Sequence, residues 1–84
     1  MRKILDEVIA TRQSVASGDM DGAKKKLAAA LRLIETNISG GGPRGFLRSV
    51  QGYLEDVGYA VTVSDARWAL SGLEKAERAL QGRV

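Results

Sequence analysis

Apolar residues recur every three or four positions through four segments of this 84-residue chain, and only short breaks separate them. A helix turns about 100° per residue. On that spacing Ile4, Leu5, Val8, Ile9, Val15 and Ala16 share one broad face of a first helix over about 2–17. Asp6, Gln13 and Ser14 fall elsewhere. Asp6 and Glu7 suit the positive end of the helix dipole. Ser17-Gly18-Asp19 then interrupts the pattern. Gly18 is suited to a left-handed stop, and Asp19 or Asp21 to a cap on the next helix. The second helix spans about 20–38, with Ala23, Leu27, Ala30, Leu31, Ile34 and Ile38 as its stripe. Lys24, Lys25, Arg32 and Glu35 lie on the far side.

The third helix spans about 43–59, with Phe46, Leu47, Val50, Tyr53, Leu54 and Val57 on its face. Pro43 suits a first helical turn, where its missing N–H has no partner to lose. Thr62-Val63-Ser64-Asp65 fits a capping box with Thr62 as the N-cap, and Val61 and Ala66 could staple it. The fourth helix spans about 63–81, with Ala66, Leu70, Leu73 and Leu80 as its core face. Ala60-Val61 could form only a two-residue strand with nothing nearby to pair with.

Helices joined by turns this short pack antiparallel. The expected fold is therefore all-α, one domain over 1–84. Hairpin 1 covers 2–38, a Gly-rich joint 39–43, and hairpin 2 43–82. The two hairpins form a compact bundle or an open array completed by a second copy. Ile4-Leu5-x-x-Val8 and Phe46-Leu47-x-x-Val50, 42 apart, hint at an internal repeat. So does Asp21-x-Ala23-Lys24-x-x-Leu27 against Ser64-x-Ala66-Arg67-x-x-Leu70, 43 apart.

The joint is Ser39-Gly-Gly-Gly-Pro-Arg-Gly45, and from Gly40 it spells G-x-G-x-x-G. A dinucleotide fingerprint needs a strand before it and a parallel sheet around it. Here a helix precedes it, and the chain is too short for such a domain. No Gly-Lys-Ser/Thr follows, so it is no Walker loop either. The glycines read as a pivot and the proline as a restart. One functional use remains: glycine N–H groups with Ser39 and Arg44 could hold an anion.

Composition removes several chemistries. The chain has no cysteine, hence no disulfide, thiolate metal site or thiol nucleophile. It has no histidine, the commonest general base and metal ligand. Asp6-Glu7 and Glu55-Asp56 are sequence neighbours that point about 100° apart, so neither converges on a metal or a proton. The chain is expected to be non-catalytic, without cofactor or metal. Met1-Arg2-Lys3 leads directly to Asp6-Glu7 without an apolar signal region, and no apolar run reaches membrane-spanning length. A cytoplasmic location is expected. The net charge of +3 leans weakly toward anionic partners.

Gly18-Asp-Met-Asp-Gly-Ala-Lys-Lys-Lys-Leu-Ala-Ala-Ala-Leu31 resembles the second-helix start of a tetratricopeptide repeat. A full repeat would imply peptide binding. The first helix lacks that repeat's aromatic positions, and no period of about 34 residues follows. Ser49 to Glu77 is similar in cadence to a winged helix-turn-helix. That resemblance implies a turn at Gly58, an opening of the recognition helix at Thr62-Val63-Ser64, and Ser64, Arg67, Trp68 and Ser71 facing a DNA groove. No wing follows Gly82.

Trp68 points away from the expected core face of the fourth helix, with Gly72, Lys75 and Ala79 on its side. A tryptophan among small residues suits an interface anchor. Tyr59 lies off its own helix's core face and is a second contact candidate. Arg12, inside the apolar face of the first helix, is expected to snorkel or pair with a carboxylate. Lys24, Lys25, Lys26, Arg32, Arg44 and Arg67 are candidate phosphate contacts. The expected function is a helical interaction module, such as an adaptor, inhibitor or regulatory subunit. It would dock on a protein or a second copy through Trp68, its basic residues steering an acidic partner. The rival expectation is a small DNA-binding regulator using the fourth helix.

Overall fold

The computed structural model describes residues 1–83, and they form four helices: α1 Arg2–Ala16, α2 Met20–Ser39, α3 Arg44–Thr62 and α4 Ala66–Gln81. Each helix packs on two neighbours, in the ring α1–α2–α3–α4–α1. This is an up-and-down bundle, and no strand occurs among the described residues. Its long dimension of 35 Å is set by α2, whose 20 residues span about 30 Å.

Three helices end in the same way. Gly18 and Gly41 have φ of +83° and +90°, and Ser64 has φ of +57°. In each turn the N–H after the left-handed residue reaches back five positions. Asp19 donates to Ser14 O, Gly42 to Asn37 O and Asp65 to Ala60 O, each at 2.8 Å. This closure satisfies carbonyls that would otherwise end the helix unpaired. The two hairpin turns go further. Asp19 accepts from the Gly22 N–H at 2.9 Å, and Asp65 accepts from the Trp68 N–H at 3.0 Å.

The expected Thr62 cap is therefore corrected. Thr62 is the last residue of α3, and its hydroxyl donates to Gly58 O at 2.8 Å. Asp65 is the N-cap, because the left-handed Ser64 delivers the chain one turn later than a capping box at Thr62 would. α3 thus runs past residue 59, α4 starts at Ala66, and Val61 is core rather than staple. Pro43 precedes α3 as its N-cap residue rather than opening it. Asp6 and Glu7 fall beyond the first turn of α1.

The burial and capping patterns of the two hairpins align at an offset of 46 rather than 42 or 43. Buried Ile4, Val8, Thr11, Ser14 and Val15 of α1 correspond to Val50, Leu54, Val57, Ala60 and Val61 of α3. Buried Ala23, Leu27, Ala30 and Ile34 of α2 correspond to Ala69, Leu73, Ala76 and Leu80 of α4. Asp19 corresponds to Asp65 and Gly18 to Ser64. The two hairpins thus share much of one pattern of burial and turn closure.

The expected core stripe of α4 is rotated. Expected Leu73 and Leu80 are fully buried, but Ala69 and Ala76 lie at the centre with them, Gly72 is buried on the α3 side, and Ala66 and Leu70 are half-buried at the other edge. Small residues mark the line of closest approach, and weighting by size hides it. A Cβ on Gly72 would lie 2.7 Å from Val57 Cγ2. Phe46, Leu31 and Ile9 are likewise half-buried, Tyr53 and Ala16 exposed. Thr11 and Ser14 are buried, and their polar atoms are satisfied. Thr11 donates to Glu7 O at 2.7 Å, and Ser14 Oγ accepts from Lys26 Nζ at 2.9 Å.

Two substitutions test this geometry by urea unfolding. Gly72→Ala places a methyl against the stiff Val57 and is expected to lose about 1–3 kcal/mol, against the usual helix-propensity trend. Ser64→Gly relieves a left-handed backbone and is expected to gain about 0.5–1 kcal/mol.

Candidate functional site

The large hydrophobic side chains exposed among the described residues are Tyr53, Tyr59, Val63 and Trp68. All four fall between residues 53 and 68, around the α3–α4 turn. Tyr59 is 70% exposed and Val63 65%. Tyr59 on α3 and Val63 just past its end sit one turn apart on the outward side, opposite buried Val50, Leu54 and Val57. Trp68 is 40% exposed. Its indole Nε1–H donates to Asp56 Oδ2 at 2.7 Å, so the ring lies along the α3–α4 seam.

That placement corrects the expected docking face of α4. Trp68 is about 100° from the centre of the buried stripe, not opposite it. Its own hairpin partner α3 covers part of it. Gly72 is buried against Val57 and cannot touch a partner, and Ala79 is half-buried against the core. Lys75 is exposed. The shift has one cause: the stripe is centred on alanine and glycine, so the side chains beside Trp68 are consumed by helix packing.

Beside this surface, Leu31, Leu54, Glu55, Gly58, Tyr59 and Thr62 line an open groove of about 490 Å³ between α2 and α3. Towards the N-terminal end of α3, Arg48 Nη1 donates to Glu35 Oε1 at 2.9 Å, and Gln51 Nε2 donates to the same oxygen at 2.7 Å. The Gln51 and Arg48 hydrogen bonds hold the Glu35 carboxyl below its ordinary pKa, helped by the charges of Arg48 and Arg44. The opposite seam of the ring, between α1 and α4, carries an ion pair of its own. Arg12 Nε donates to Glu77 Oε2 at 2.7 Å, as an arginine within an apolar face was expected to do.

The candidate phosphate contacts do not form one patch. Consecutive residues on a helix diverge by about 100°. Lys24 leans to the α3 side, Lys25 points outward, and Lys26 reaches Ser14 on α1. Arg32, Arg44 and Arg67 are exposed on three different helices. The glycine anion cradle is also corrected. The Gly40, Gly41 and Gly42 N–H groups donate to Thr36, Ile38 and Asn37 carbonyls, closing α2 rather than facing a ligand. The winged-helix cadence put a turn at Gly58, but α3 is helical through it. Ser64, Arg67 and Ser71 are exposed, as that cadence implied.

No group of His, Cys, Asp and Glu among the described residues is placed to hold a metal ion. No helix among them is long and apolar enough to cross a membrane. Comparison with protein-family models, with curated proteins and with solved structures finds no match to this chain.

The two ion pairs should behave differently. Glu77 is 12% exposed, so Arg12→Ala leaves a largely buried carboxylate unpaired and is expected to cost about 1–2 kcal/mol in thermal or urea unfolding. Gln51→Ala is expected to raise the Glu35 pKa, read by NMR titration of its carboxyl carbon, with little change in stability. Glu35 is depressed when folded, so its small contribution is present above the unfolded pKa and fades as pH falls through the folded one.

Proposed function

We propose that this chain is a non-catalytic helical interaction module that docks on a partner protein through the outward side of α3 and the α3–α4 turn. One observation carries the reading: three of the four large exposed apolar side chains, Tyr59, Val63 and Trp68, fall at the end of α3 and the start of α4, with Tyr53 farther back on α3. Exposed aromatics in one patch, beside a groove, mark interaction surfaces more often than scattered ones do. Trp68 and Tyr59 act as anchors, and Trp68 is held in position by Asp56. Lys75 lies on the exposed side of α4 and belongs to the rim. Gly72 and Ala79 belong to the bundle and shape the seam from beneath.

The charge of this face argues for a partner different from the acidic one expected from net charge. Residues 49–66 contain Glu55, Asp56 and Asp65 and no lysine or arginine. An otherwise basic chain thus presents an acidic, aromatic segment. Nucleic acid remains the rival partner, through Arg67, Ser71 and the lysines, but Asp56 and Asp65 beside Trp68 would repel phosphate.

A tagged capture from host lysate, with and without nuclease, separates the two. A nuclease-resistant partner is expected, reduced at least tenfold by Trp68→Ala or Tyr59→Ala and unchanged by Lys25→Ala. Recovery of nucleic acid, lost on changing Arg67, would contradict the docking reading.

A further inference from the structure

We propose that the α2–α3 groove takes the arginine side chain of a partner peptide. The proposal rests on the reading of α3 as a docking face, and names what that face recognises. It draws on the correspondence between the two hairpins. Adding 46 maps Arg12 onto Gly58, and Leu31 onto Glu77. In the α1–α4 seam Arg12, its side chain 39% exposed, reaches across from α1 to Glu77 on α4 at 2.7 Å. In the α2–α3 seam the arginine position is a glycine and the carboxylate position is Leu31. The arginine position is therefore occupied at one of two corresponding seams, which keeps a groove of about 260 Å³ beside Arg12 and Glu77, and vacant at the other, where the space is larger. That space is the groove of about 490 Å³.

The lining fits such an occupant. Leu31 and Leu54 give an apolar wall for an alkyl stem. The polar features are acceptors. Glu55 is an exposed carboxylate that forms no salt bridge among the described residues. Thr62 has already spent its proton on Gly58 O and offers only oxygen lone pairs. Tyr59 presents an exposed ring on the rim. A group with donors and no acceptors, a charge and a flat face satisfies all three, and guanidinium is that group. Glu35 at the groove's end is committed to Arg48 and Gln51, which leaves Glu55 as the carboxylate free to pair. Lys24 lies two turns before Leu31 on the same face of α2. Its charge opposes a cationic guest, so Lys24→Ala should tighten binding.

The test is an amide NMR titration of the full chain with a blocked pentapeptide, Leu-Ala-Arg-Ala-Leu. A matched peptide carries citrulline, the neutral isostere of arginine, in the central position. Peptide concentrations reach the order of 1–10 mM, so that weak binding registers. The arginine peptide is expected to shift the amides of Leu31, Leu54, Gly58, Tyr59 and Thr62. Citrulline or Glu55→Gln is expected to weaken binding at least fivefold. Gly58→Arg supplies the plug from within and is expected to abolish binding with the fold intact, because a Cβ at Gly58 meets only Leu27 Cδ2, at an ordinary 3.6 Å. Equal binding of both peptides, shifts confined to other residues, or no shifts at all would each overturn the proposal. If they do while Trp68-dependent capture persists, only the arginine is wrong. If capture fails too, the docking face itself is wrong.

Discussion

Alanine at the helix contacts is the constraint on which the rest depends. α2 and α4 carry the same inner stripe: alanine, a leucine four residues on, alanine three later, then a branched aliphatic. The residues are Ala23, Leu27, Ala30 and Ile34 in one and Ala69, Leu73, Ala76 and Leu80 in the other. Small side chains bring the helix axes close, and the long ones between them fill the space that remains. At Gly72 the approach to α3 leaves no room even for a methyl group. Such a seam cannot accept an indole, so Trp68 is displaced to its edge, where Asp56 fixes it.

Because the two hairpins share much of one pattern, features of one half can be read against the other. The two hairpin turns are held by the same hydrogen bonds, and most of the buried stripe coincides, though buried Leu5 falls opposite half-buried Gln51 and buried Gly72 opposite exposed Lys26. A further difference lies in the two seams that join the halves. One is bridged by Arg12 and Glu77, with a groove of about 260 Å³ beside them. The other has Gly58 and Leu31 at those positions and is open, with Tyr59 and Glu55 on its rim. A chain of this size has little surface to spare for asymmetry, and here the asymmetry coincides with the acidic, aromatic side of α3. Fold and proposed function meet at that point: packing makes the ring, and the glycine at position 58 leaves the groove that is proposed to bind.

The helices and their pairing were legible from apolar spacing, because the leucines and valines of α1 and α2 repeat cleanly. Gly18 with Asp19 gave a turn that the structure keeps. The second turn misled because Thr62 and Asp65 also fit a capping box, and nothing local announces that Ser64 takes a left-handed backbone. The face of α4 misled for a related reason. Leu70 outweighs Ala69 and Ala76 in hydrophobicity, yet proximity of helices is set by the two alanines. The offset of 46 was hidden by coincidences of apolar spacing at 42 and 43. The signal that reveals it is the run Asp-x3-Ala-x3-Leu-x2-Ala, which begins at both Asp19 and Asp65. The groove could not be read from sequence, since it is defined by the absence of a side chain at Gly58 opposite a residue on another helix.

The most direct test of this account is a thermodynamic cycle at the open seam. Gly58→Arg and Leu31→Glu, singly and together, transplant the Arg12–Glu77 ion pair to the corresponding positions of the other seam. The account predicts a favourable coupling of about 1 kcal/mol by urea unfolding, comparable to that of a parallel cycle on Arg12 and Glu77. A coupling of zero, beside a clear one at Arg12–Glu77, would mean the two seams are not equivalent. The groove would then not be the vacant counterpart of a filled site.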